Sequence, residues 1–236
     1  MHSGSRNLGK QVAEHYQEAA ARDLSKKAKD TSKLVAELKA QGRETEIQAE
    51  LKKRSVHKID RNLAFLEGDL LEDYLHDMAI VQRYAALNRR AIVREIVKAM
   101  GWKIGEQFTT VHNYIDLEAM ILRKGAISAQ KDERVLIPLN MRDGSLLCVG
   151  KGNDDWNCSA PHGAGRLMSR SAAKGSITLS QFEKSMEGIY STTVGRNTID
   201  ESPFAYKPME EILQNIGETV AVIQTIKPLY NFKAAE

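Results

Sequence analysis

Apolar positions recur at helical spacing through the first hundred residues and shift to short, dense runs afterwards. Val12, Tyr16, Ala19 and Ala20 follow Gly9 at a spacing that predicts a helix. Residues 31–54 are strongly charged, with sparse apolar positions at Leu34, Val35, Leu38, Ile47 and Leu51. That pattern predicts a solvated helical excursion broken at Gly42. From Leu70 the signal strengthens. Leu71, Tyr74, Leu75, Met78, Val81, Ala85, Ile92, Val93, Ile96 and Val97 form a long apolar face that predicts a core helix stopped at Gly101.

Beyond Gly101, the runs 120–122, 135–137 and 146–149 are strand candidates. Asp143-Gly144 lies between the last two and favours a hairpin turn. Ser180 and Glu183 fit a capping box for a helix reaching Gly188. Pro208 suits the first turn of a further helix, Met209 to Ile216, stopped by Gly217. The stretch 220–232 is rich in Val, Ile and Thr and reads as a closing strand interrupted at Pro228. Long helices lead and mixed strands and helices follow. The expected fold class is therefore α+β, with residues 1–236 as a single unit carrying the charged excursion at 31–54.

Composition narrows the function classes. The chain has 236 residues, 42% of them apolar, enough to bury a core. No apolar run approaches the length of a membrane span, and Met1-His2-Ser3-Gly4-Ser5-Arg6 lacks the apolar core of a signal peptide, so the expectation is a cytoplasmic protein with no membrane partner. Cys148 and Cys158 have no CxxC spacing and read as reduced thiols. A net charge of +3 does not announce nucleic acid, so that reading must rest on local clusters.

The stretch NCSAPHGAGRLMSRSAAKG, residues 157–175, is the densest such cluster. Gly163 and Gly165 flank Ala164, leaving little side chain to shield the backbone amides from a phosphate. From Arg166 the pattern predicts a helix. Arg166, Arg170 and Lys174 then fall at i, i+4 and i+8, on one face. Two readings stand open: an anion site at a helix start, and a glycine-rich turn feeding a surface helix with solvated cations.

Three clusters together carry a family likeness. They are 2–9 (HSGSRNLG), 111–114 (VHNY) with 123–126 (RKGA), and 159–166 (SAPHGAGR) with 168–170 (MSR). In order and spacing they resemble the signature motifs of the RtcB-type RNA-splicing ligases. Softer matches at Ala86-Leu87-Asn88-Arg89, Ala205-Tyr206-Lys207 and Lys233 extend the resemblance over nearly the whole chain, as part of an RtcB-like fold.

The resemblance implies a GTP- and manganese-dependent RNA ligase. His162 would attack the α-phosphorus of GTP and become a covalent guanylate. GMP would pass to an RNA 3'-phosphate, and a 5'-hydroxyl would then expel it and join the strands. A 2',3'-cyclic phosphate would first be opened by hydrolysis. The partners are thus RNA ends, such as tRNA halves or broken RNA. By the same resemblance His2 and His112 bind Mn2+, which suits neutral imidazole. His112, Asn113, Pro138, Leu139, Asn140, Met141, Ser145, His162, Gly163, Ala164, Gly165, Tyr206 and Lys233 contact the nucleotide. Lys233 would donate to guanine O6 and Tyr206 would meet the purine. Arg6, Arg166 and Arg170 hold RNA or nucleotide phosphates, where a planar guanidinium can engage two oxygens.

Two departures accompany the resemblance. The family's N-terminal portion, with an acidic residue, a cysteine and a further histidine at the metals, has no counterpart motif here. The 138–144 turn (PLNMRDG) stands where the family has smaller residues. Two histidines make a thin metal shell, so weak metal binding by the isolated chain is expected. Alternatives from other classes are an incomplete RNA- or nucleotide-binding remnant, one half of a split ligase needing a separate N-terminal half or activating protein, and a partner-binding protein using residues 31–54.

Overall fold

A computed structural model describes residues 7–29, 31–53 and 60–233. The chain divides into two compact units, Met1–Ile104 and Gly105–Glu236. Among the described residues the class is α+β, with helices first and two small antiparallel sheets later.

The first unit is helical: α1 (Asn7–Lys29), α2 (Ser32–Ala40), α3 (Ile47–Lys53) and α4 (Asp69–Met100). Gly42, at φ +68°, separates α2 from α3, and Gly101 ends α4 in the left-handed region, as a helix stop requires. α1 packs antiparallel along α4. Gly9 faces Val81, where an added Cβ would lie 3.3 Å from the valine methyl. Further along α1, the Tyr16 hydroxyl donates to Asp77 at 2.8 Å and its ring meets Tyr74.

The expectation that α4 is a core helix needs correction. Among its described residues Val81 alone is buried, while Ile80, Tyr84, Leu87, Ile96 and Met100 are exposed. The reason is register. α4 has 32 residues and α1 has 23, and the start of α1 already lies opposite Val81, so among the described residues of this unit the stripe beyond Val81 extends past α1.

The second unit holds two three-stranded sheets. One has the order β1 (His112–Asp116), β2 (Ile121–Ser128), β5 (Ser159–Pro161); the other has β3 (Arg134–Pro138), β4 (Ser145–Gly150), β6 (Val220–Ile226). Alternation selects the buried faces. Val135 and Ile137 on β3 and Leu146 and Cys148 on β4 join Ile127, Ala160, Ile212 and Ile216 in one cluster. The β3–β4 hairpin closes through Gly144, at φ +80°, where any side chain would strike the Ile226 carbonyl.

A second cluster, Met141, Ala173, Ile177, Phe182, Met186, Ile199 and Ala205, is built from α5 (Arg170–Ser176), α6 (Leu179–Ser185) and the 3-10 turn Arg196–Glu201. Tyr206 packs against both clusters. α7 (Met209–Asn215) follows Pro208, close to expectation.

Two local expectations shift. The capping box is Thr178 with Gln181, two residues before Ser180 and Glu183. The helix expected from Arg166 starts at Arg170, because Arg166 instead bridges Tyr206 and Ser169 caps the helix through its hydroxyl.

Candidate active site

The described candidate residues all belong to the second unit; His2 and Arg6 lie outside the described residues. His112 opens β1 opposite Ile127 on β2. Pairing of Ala126 with Pro161 and Ile127 with Ala160 delivers His162 directly after β5. The two imidazoles therefore meet, their centroids 4.8 Å apart and their planes 34° apart.

Backbone geometry fixes the His162 ring. Its Nδ1 lies 2.7 Å from the Gly125 carbonyl oxygen, so in the neutral ring Nδ1 carries the proton and donates it there. Nε2 then bears the lone pair. Gly125 sits at φ +67°, and its own amide donates to Asn113 Oδ1 at 2.8 Å. Asn113, at φ +56° in the β1 irregularity, thereby holds the residue whose carbonyl holds the His162 ring.

A buried arginine ties the three strands beneath. Arg123 is 2% exposed. It donates to Asp116 at 2.7 Å, to the Tyr114 hydroxyl at 3.1 Å, to Ser159 Oγ at 3.0 Å and to the Asn157 carbonyl at 3.3 Å. The hydrogen bond from Arg123 keeps the Asp116 carboxyl below its ordinary pKa.

The glycine turn is only partly open. Ala164 donates its amide to the Pro138 carbonyl at 3.1 Å, whereas among the described residues the amides of Gly163 and Gly165 donate to no backbone carbonyl. A side chain at Gly163 would press on Pro138. Asn140 organises the neighbouring loop. Its Oδ1 accepts from the amides of Arg142 and Asp143, and its amide nitrogen donates to Asp143. Leu139 and Met141 are core side chains, so a ligand would meet them through backbone atoms. Ser145 faces Pro138 across the hairpin.

Of the two readings left open for the cations after the turn, a merely solvated stripe fits less well, because these half-exposed side chains are paired. Arg170 Nη1 lies 3.0 Å from Asp200 Oδ2, and Lys174 Nζ lies 3.8 Å from Oδ1 of the same carboxylate. Arg166 donates to the Asp200 and Met168 carbonyls and to the Tyr206 hydroxyl, with its guanidinium 4.9 Å from the tyrosine ring centre. Lys233 pairs with Glu201 at 2.9 Å. Burial acts to raise the Glu201 pKa, but hydrogen bonds from Tyr206 and Lys233 and the nearby charges of Lys233 and Arg170 leave it lowered. Burial, then Glu201, push the Tyr206 phenol far up.

The sequence pattern singles out neither Asp200 nor Glu201, nor Arg123 as more than part of a motif. A usable signal was the adjacent acidic pair four residues before the Ala205-Tyr206-Lys207 match.

The motifs around His112, Arg123 and His162 thus come together within the second unit. The description "tRNA-splicing ligase RtcB" matches residues 1–234. The chain belongs to the RtcB family. Similar proteins include the RNA-splicing ligase RtcB of Escherichia coli strain K12, 27% identical over 96% of this chain and 53% of its own length. The tRNA-splicing ligases RtcB of Aeropyrum pernix and Archaeoglobus fulgidus are 30% and 29% identical, over 96% and 90% of this chain and 50% and 47% of theirs. The chain thus spans about half the length of these RtcB relatives. Among the described residues of this RtcB-family chain, no group of three or more His, Cys, Asp or Glu is arranged to hold a metal ion, and no helix is long and apolar enough to cross a membrane.

Proposed function

We propose that the chain carries the guanylylating half-site of a GTP-dependent RNA ligase. His162 Nε2 attacks the α-phosphorus of GTP. The P–N bond forms as the bond to the pyrophosphate oxygen breaks, and pyrophosphate leaves. An oxygen of an RNA 3'-phosphate then attacks the same phosphorus and returns the electron pair to Nε2. Finally a 5'-hydroxyl attacks the activated 3'-phosphate, a phosphodiester forms, and GMP departs. The observation that carries this reading is the His162 Nδ1 contact with Gly125 O, which leaves Nε2 as the basic nitrogen beside the glycine turn.

Manganese is the metal the reading requires. His112, half-buried against the His162 ring, would supply one imidazole ligand, and the remaining ligands would come from His2 or from a complementary chain. When bound, the ion would neutralise charge on phosphate oxygens. The protein's own contribution is placement: Gly163 and Gly165 allow close approach, and Arg166 and Arg170 offer guanidinium groups to phosphates.

Incubation with α-labelled GTP, with and without manganese and a separately supplied N-terminal half of a related ligase, tests the reading. An acid-labile, alkali-stable label that disappears in His162→Ala is expected. Absence of label in every arm would replace this reading with that of a nucleotide- or RNA-binding chain without turnover.

A further inference from the structure

Glu201 divides its two carboxylate oxygens between two sets of groups. Oε2 accepts from the Tyr206 hydroxyl at 2.7 Å and lies 2.9 Å from Lys233 Nζ. Oε1 faces Arg170 Nη1 at 3.4 Å and Arg166 Nη1 at 3.7 Å. The side chain is 11% exposed, so these contacts are made largely out of water. By the family resemblance Tyr206 and Lys233 would meet the purine, and in the function proposed above Arg166 and Arg170 meet phosphates. One carboxylate therefore stands between base and phosphate recognition.

The two sets do not depend on it equally. Arg170 also pairs with Asp200 at 3.0 Å, and Arg166 also donates to the Asp200 and Met168 carbonyls. Both arginines keep an anchor when Glu201 is neutralised. Lys233 stands in a segment without regular secondary structure, with its side chain 42% exposed, and its ion pair among the described residues is with Glu201. A lysine stem that is free to rotate loses side-chain entropy when it is fixed. A base-reading ammonium needs something to absorb that freedom before the base arrives.

We propose that Glu201 is a positioning residue for purine discrimination, holding the Lys233 ammonium at the oxygen that also accepts from the Tyr206 hydroxyl, so that the ammonium meets position 6 of the base as a fixed donor. A 6-oxo purine accepts a hydrogen bond from that ammonium. A 6-amino purine presents hydrogens to it and is rejected. The proposal rests on the nucleotide reading above, but not on the covalent step.

Equilibrium binding of GTP and ATP to the full chain, measured by titration calorimetry, tests it without requiring labelling. The chain is expected to prefer GTP. Glu201→Gln and Lys233→Gln should each lower that preference about tenfold, roughly the worth of one good base contact. The double variant should lose no more than either single, because the two act as one unit. ATP affinity in Glu201→Gln should change less than about threefold, since Arg166 and Arg170 keep their other partners. Without nucleotide, NMR of labelled tyrosine at neutral pH should show the Tyr206 ring signal displaced in Glu201→Gln, as its hydroxyl loses a charged acceptor at 2.7 Å. Glu201→Asp keeps the charge on a shorter stem and should retain part of the preference; it also serves as the second variant if Glu201→Gln melts prematurely. An unchanged GTP-to-ATP ratio in Glu201→Gln or Glu201→Asp, or additive losses in the double variant, overturns the proposal. Equal binding of GTP and ATP by the unmodified chain overturns the guanine site and the proposal with it. A normal preference without covalent label removes the ligase reading alone.

Discussion

At the imidazole end of the site, His162 is held by the Gly125 carbonyl, the Asn113 side chain behind it and the Arg123 clamp under β1, β2 and β5. At the cationic end, Arg166, Arg170, Lys174 and Lys233 are gathered by Asp200 and Glu201, neighbours on one short 3-10 turn. The first end is held mainly by hydrogen bonds within a sheet, the second mainly by charge. A nucleophile must present one lone pair in one direction, which suits a lattice of backbone bonds. Groups that bind phosphates must exchange one set of anions for another, which suits carboxylates that can give way. Stability should therefore be concentrated at the first end, and sensitivity to ligand and pH at the second.

The strongest break is Arg123→Met. It leaves Asp116 as a carboxylate without its guanidinium and removes donors from Tyr114, Ser159 and Asn157. Loss of one partner from a buried ion pair costs about 3–5 kcal/mol, readable as a lowered urea midpoint. Arg170→Met, at a side chain 52% exposed, should cost less than about 1 kcal/mol. Equal costs would erase the contrast between the two ends.

Acid should act on both ends, with different readouts. Asp116 and Glu201 both have folded pKa values lowered from the ordinary range. Their stabilisation is fully present above the unfolded carboxylate pKa, near 4, and is lost as pH falls through the lower folded values. Below about pH 4, Asp116→Asn should flatten the fall in unfolding free energy, because its protonation no longer contributes. Glu201→Gln should instead flatten the loss of GTP preference. Curves that remain steep in both variants would assign acid sensitivity elsewhere.

Asn113→Gly makes a smaller and more specific break. Glycine accepts the positive φ at that position, so backbone strain is not added, and the variant removes the Oδ1 contact to the Gly125 amide together with any contact of that side chain to the nucleotide. Labelling by GTP should slow about tenfold, the worth of one hydrogen bond of about 1.4 kcal/mol. The urea midpoint should stay near that of the unmodified chain. A parallel fall in midpoint would make Asn113 a structural residue only.

Much of the architecture was legible because its signals are local. The α4 stripe ending at Gly101, the Asp143-Gly144 hairpin, the α7 start after Pro208 and the β6 strand all follow from neighbouring residues. β1 and β5 carry His112 and His162, yet were not legible as strands: the first is polar and the second has three residues. Arg166 was assigned to a helix because its spacing to Arg170 and Lys174 is helical; a bridge to Tyr206, forty residues on, draws it out. Convergence of His112 with His162 followed from the family motifs, while Glu201 and its partners did not, because ion pairs between distant segments leave no period in the sequence. The α4 stripe shows the same limit in reverse: its pattern reveals a face to be covered, but not what covers it.

Thr178→Ala is the smallest break and tests how far the cationic end depends on its platform. Two Ser/Thr-x-x-Gln/Glu patterns overlap here, at Thr178 with Gln181 and at Ser180 with Glu183. The core selects the first, because a cap at Thr178 puts Ile177 before it and Phe182 at the fourth helical position, the pair that staples a helix start. Phe182 is fully buried in the cluster that also contains Ile199, on the turn carrying Asp200 and Glu201. Removing the threonine hydroxyl should cost about 1 kcal/mol of stability, measured by thermal melting. The staple remains, so the acidic turn keeps its support and the GTP-to-ATP preference should change by less than about twofold. The labelling rate at His162 should not change, since α6 contributes nothing to the sheet that holds the ring. A larger loss of preference with normal labelling would show that the cationic end takes its geometry from helix packing as well as from charge.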